Sequence, residues 1–73
     1  MTQQQSEMLD FRLYLFHETE KAWLVGEEAD RNKAFWLPRS QCVQDPDRKG
    51  KDKGLPLYDF EVPSWLCIEK GLI

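Results

Sequence analysis

No apolar run in this chain approaches the roughly 18 residues that a membrane-spanning helix needs, and the opening residues Met1-Thr2-Gln3-Gln4-Gln5-Ser6-Glu7 carry neither a basic nor an apolar leader segment. A cytoplasmic protein without a membrane partner is the expectation. Cysteine is scarce: Cys42 and Cys67 are too few and too far apart for a disulfide framework, and they are expected to be reduced, partly buried hydrophobes. Joined by His17, the lone histidine, they would still leave a zinc ion one ligand short, so no metal or cofactor is expected. General acid and base chemistry has little to work with either. His17 stands beside Glu18 and Glu20 in a polar stretch that reads as a solvated turn, and no nucleophile or second shell accompanies it, so the chain reads as a non-enzyme. An excess of positive charge is also missing. The net charge of −3 removes the whole-molecule attraction to phosphate backbones on which non-specific nucleic-acid binding rests.

What is present is a single small domain. Seventy-three residues, 41% hydrophobic and 32% charged, have the composition of a globular fold, although a chain this short buries only about 60% of the surface its unfolded form exposes. Its central landmark is Ala34-Phe35-Trp36-Leu37-Pro38-Arg39-Ser40-Gln41, an apolar run cut by a proline, which reads as a strand (Lys33 to Leu37) followed by a corner.

Residues 1–7 are polar and aperiodic and are expected to form a disordered tail, leaving 8–73 as the domain. From Met8 the chain alternates, with Leu9, Phe11, Leu13 and Leu15 on one side and Asp10, Arg12, Tyr14 and Phe16 on the other, the period of two of a half-buried strand. Residues 17–20 turn the chain, and Lys21 to Val25 form a second strand of a tight hairpin. Glu27 to Asn32 is a charged loop in which Asn32 offers the positive φ of a hairpin return. Ser40 to Val43 give a turn and a weak strand. Asp45 to Gly54 have no apolar side chain except proline and carry two glycines and seven charges, so they are expected to be a mobile loop. Leu55 to Val62 is the last strand, with Phe60 and Val62 inward. A helix from Pro63 to Lys70 follows, stopped by Gly71, with Trp65, Ile68 and Leu72 as its packing face. The sum is a mainly β domain: a small antiparallel barrel or curled sheet of four to five strands, SH3-like or OB-like, with one short C-terminal helix.

Two binding surfaces follow from this pattern. Arg12, Tyr14, Phe16, Trp23, Trp36 and Arg39 combine aromatic and guanidinium groups as interaction hot spots do, and could anchor a protein partner or a second copy in a homodimer. Glu18, Glu20, Glu27, Glu28 and Asp30 form acidic loops able to imitate phosphate and occupy a basic groove. The alternative is single-stranded nucleic acid stacked on Tyr14, Phe16, Trp23 and Trp36 beside a basic loop. That loop nets only +1, four basic residues (Arg48, Lys49, Lys51, Lys53) minus three acidic (Asp45, Asp47, Asp52), and the flanking carboxylates would repel phosphate.

Three segments, Glu20-Lys21-Ala22-Trp23-Leu24-Val25, Trp36-Leu37-Pro38-Arg39-Ser40-Gln41 and Val62-Pro63-Ser64-Trp65-Leu66 with Lys70-Gly71-Leu72-Ile73, resemble a cassette in small bacteriophage and prophage accessory proteins; the likeness spans about two thirds of the chain. The charged insertion from Asp45 to Gly54 departs from the shorter members. No activity is settled for that family, so no catalytic residue transfers. The resemblance implies a mobile-element origin and a host protein complex as partner, bound and inhibited, with nucleic-acid-handling or defence complexes such as CRISPR effectors among the candidates.

Overall fold

The computed structural model describes residues 7–73, including all side chains in that range except those of 47–49. The tail expected over residues 1–7 therefore lies outside the described residues apart from Glu7, whose carbonyl accepts the Ser64 N–H at 2.8 Å.

Five antiparallel strands form one sheet: β1 (Met8–Glu18), β2 (Ala22–Gly26), β3 (Phe35–Pro38), β4 (Val43–Asp52) and β5 (Leu55–Pro63), in the order β3-β2-β1-β5-β4. The helix α1 (Ser64–Lys70) ends the fold. The sheet stays open, with β3 and β4 as its edges, so the curled-sheet form of the expected architecture is the one adopted. Its centre is β1, whose length lets it serve two partners in succession. Met8 to Tyr14 pair with β5 and Tyr14 to Glu18 pair with β2, so Tyr14 is the residue where the two halves of the sheet meet.

The alternation seen in the sequence sorts the two faces. Leu13, Leu15, Trp23, Val25, Leu37, Phe60 and Val62 point to one side and are buried, with Leu9, Phe11, Phe35 and Tyr58 packed on them. Leu66 and Cys67 of α1 close this core, together with Cys42 from the segment between β3 and β4. Of the expected packing face of the helix region only Leu72 packs on the core; Trp65 and Ile68 are 45% and 66% exposed, whereas Leu66 and Cys67 are buried. Both sets have helical spacing, and the phase is decided by the buried Pro63 at the N-cap, which places residues 63, 66 and 67 on one stripe against the sheet. Gly71 ends the helix in the left-handed region (φ 78°), and its N–H and that of Leu72 satisfy the last-turn carbonyls.

Two further expectations are overturned. The run 45–54 is mostly strand: β4 covers it as far as Asp52, and a two-residue turn at Lys53 (φ 53°) and Gly54 (φ 78°) connects it to β5. Inability to bury a side chain does not prevent a backbone from pairing, and an edge strand can leave its charges in water while β5 supplies the ladder. The register slips between Gln44 and Lys49, where Pro46 cannot donate. Asn32 does not take positive φ. Asp30 instead accepts the Asn32 N–H at 2.9 Å and caps a 3-10 turn over Arg31–Lys33 that leads into β3.

Gly26 is closely packed. A Cβ there would meet the Phe16 ring at 3.2 Å and the Glu28 carbonyl at 3.3 Å. Phe16 is the extra residue of the bulge between Leu15 and His17, which turns its ring over β2. Replacing Gly26→Ala should therefore cost about 1–3 kcal/mol, measurable as a lower denaturant midpoint.

Candidate binding face

The face of the sheet away from the core is open. Along β1 it presents Asp10, Arg12 and Tyr14, and the cross-strand partners of these residues bring Glu61, Asp59 and Leu57 from β5 to the same side. Past the bulge, His17 stands opposite Leu24, and Leu24 opposite Trp36. The His17 and Trp36 rings meet edge to face with centroids 6.3 Å apart. Leu24 is nearly buried although it points away from the core, because these two rings flank it.

Trp36 itself is 43% exposed. Trp23 is the opposite case and corrects the expectation that it anchors a partner: it lies on the core face, 5% exposed, with its ring 5.2 Å from that of Phe60. The Arg39 guanidinium stacks 4.8 Å over Trp23 and donates to Glu18 at 2.9 Å. Arg39 and Glu18 thus seal the edge of the core against each other. Glu20 stays exposed in the β1–β2 turn, whose geometry is held by the Thr19 hydroxyl accepting the N–H groups of Lys21 and Ala22.

Carboxylates gather at two places on the open face. Asp10, Asp45, Asp59 and Glu61 line one depression, and Glu27, Glu28 and Asp30 line another with Tyr14 and Lys53. Tyr14 joins them, its hydroxyl donating to Asp52 near the tip of the β4–β5 hairpin. That hydrogen bond, with lesser contributions from burial and the Asp52 charge, raises the Tyr14 pKa. Arg12 donates to Asp59 at 2.9 Å and its pKa is raised by that bond and charge, while Lys33 pairs loosely with Glu28 at 3.4 Å. Of the residues expected to bind a partner, Arg12, Tyr14, Phe16, Glu27, Glu28, Asp30 and Trp36 lie on or around this face. The cluster of Asp10, Asp45, Asp59 and Glu61 was missed. Its signal was in the alternation, which already turned Asp10, Asp59 and Glu61 outward, but only the β1–β5 pairing brings them together.

His17 lies on the open face and the two cysteines on the core side, so these three groups do not converge. Burial pushes the Cys42 thiol up to about 11, with the nearby Cys67 adding to the effect, and burial raises Cys67 as well. A thiol with a raised folded pKa leaves stability unaffected below its unfolded value, near 9, and destabilises the fold as pH rises from there to about 11. Both cysteines should resist a thiol reagent near pH 8 in the native protein and react in denaturant, and stability should fall above pH 9. Fast native labelling would contradict this arrangement.

No protein-family model, curated protein or solved structure matches this chain. Among the described residues, no helix is long and apolar enough to cross a membrane. Fold and face together define a class: a small, mainly β domain with a packed core on one side of its sheet and an open acidic-aromatic surface on the other.

Proposed function

We propose that this chain is a non-enzymatic binding module that docks its open sheet face on a basic surface of a protein partner. In the setting implied by the phage-protein resemblance, that partner is a host nucleic-acid-handling or defence complex, inhibited because carboxylates fill the groove meant for phosphates. The observation that carries this reading is the two carboxylate groups on one open face, with Tyr14 between them and Trp36 beyond. Charge complementarity of this kind speeds encounter and fixes orientation, while a partly exposed tryptophan supplies desolvated contact area.

The nucleic-acid alternative is weakened by the same face. Its stacking platform loses Trp23 to the core, and Tyr14 sits among the carboxylates Glu27, Glu28 and Asp30. A salt titration separates the two readings. Fluorescent oligo-arginine peptide should bind at low ionic strength and be released as salt rises, whereas single-stranded DNA and RNA should not bind at all. Tight binding of either nucleic acid with indifference to the peptide would overturn the proposal in favour of the alternative.

A further inference from the structure

The two edges of the sheet are unlike. Along β4 the chain places Asp45, Pro46, Lys51 and Asp52, the charges and proline by which natural sheets block edge pairing. The β3 edge carries no charge within the strand: its residues are Phe35, Trp36, Leu37 and Pro38, so only its shortness and the proline guard it.

The backbone of β3 is specific about what can join it. The Arg39 N–H donates to the Lys21 carbonyl at 2.8 Å, whereas the Ala22 carbonyl turns the other way to accept from Thr19 at 2.8 Å. With Ala22 opposite Pro38 and the pairing otherwise in step, residues 37 and 35 bond inward to β2, and Trp36 directs its N–H and C=O out of the sheet. Its neighbours on that edge are closed. The Ala34 N–H is taken by the Arg31 carbonyl at 3.1 Å, Pro38 has no N–H, and its carbonyl accepts from Gln41 at 3.1 Å. A strand arriving here finds one residue with both groups to offer.

We propose that this edge is an assembly edge and that its occupant is a second copy of the chain, paired antiparallel about a two-fold axis at Trp36. A single donor-acceptor residue is matched by itself under that symmetry, giving two hydrogen bonds between the Trp36 backbones. The same register places Phe35 of each copy across from Leu37 of the other, whose side chain is already buried in its own core, and sets the two exposed indoles side by side on the open face as the apolar contact of the pair. One step further out, Lys33 faces Arg39, and each already has its own carboxylate, Glu28 and Glu18. A second copy fits because the two-fold puts the same outward N–H and C=O of Trp36 on both sides of the seam. The product is one continuous sheet of doubled width with two acidic faces side by side. This pairing stands apart from the proposed function, which needs no dimer.

Sedimentation equilibrium of the full chain up to millimolar concentration should show the mass rising from 8.7 kDa towards twice that value. Trp36→Lys and Trp36→Glu should each raise the dimer dissociation constant by at least about tenfold while leaving the monomer folded by circular dichroism. An equimolar mixture of the two should recover association, because opposite charges then face each other at the two-fold. Trp36→Cys with glutathione disulfide as oxidant should give a disulfide-linked dimer, and Lys51→Cys on the β4 edge should not. A wild-type chain that stays monomeric throughout, or a dimer equally strong in both charged variants, overturns the proposal.

Discussion

Replacing Phe60→Ala is expected to remove about half of the protein's net stability. Phe60 is the largest fully buried side chain among the described residues, lies opposite Phe11 in the β1–β5 ladder, and packs edge to face with both Trp23 and Tyr58. Truncating such a ring removes its transfer energy and leaves a cavity that neighbouring strands cannot close, at a cost of about 3–5 kcal/mol. At about 0.05–0.15 kcal/mol per residue, 73 residues hold only roughly 4–11 kcal/mol of net stability, so one substitution consumes much of it. Trp36→Ala is the control. A side chain of larger size but 43% exposure should change stability by about 1 kcal/mol or less. Thermal melts of the two variants decide the matter: comparable losses would mean that the open face is covered and Trp36 is core.

The second large effect concerns the acidic depression, where the signs for stability and binding are opposed. Asp10 and Glu61 stand directly opposite each other across β1 and β5, a like-charge cross-strand pair that costs the fold about 0.2–1 kcal/mol. Neutralising both, as Asp10→Asn with Glu61→Gln, should raise the melting temperature by a few degrees. The same variant should bind the oligo-arginine probe at least about tenfold more weakly and with a shallower salt dependence. Glu7→Gln with Glu69→Gln removes equal charge near α1 and away from the face, and should leave peptide binding close to that of the wild type. Equal loss in both double variants would mean that net charge alone attracts the probe and that the face has no special role.

Most of the elements were legible in the residues. The period of two in β1 named its core side correctly, because side chains on a strand alternate whatever its neighbours are, and Phe60 and Val62 were turned inward on the same ground. Pro38 ended β3, as its missing N–H requires, and Gly71 stopped α1 at the one backbone conformation that glycine adopts freely. The errors came where a rule about side chains was applied to the backbone, as in β4, or where two periodic stripes were equally good, as in α1.

By itself the sequence determined a small, mainly β domain with a C-terminal helix, an alternating central strand and a corner at Pro38, because these depend on spacing and on the local chemistry of proline and glycine. Only the tertiary structure decided which tryptophan is core and which is surface, that Asp10, Asp59 and Glu61 share one face, and that Trp36 turns its backbone out of an uncharged edge. Those outcomes depend on which strands are neighbours and in what register, and the pairing is settled by burial of all the apolar faces at once.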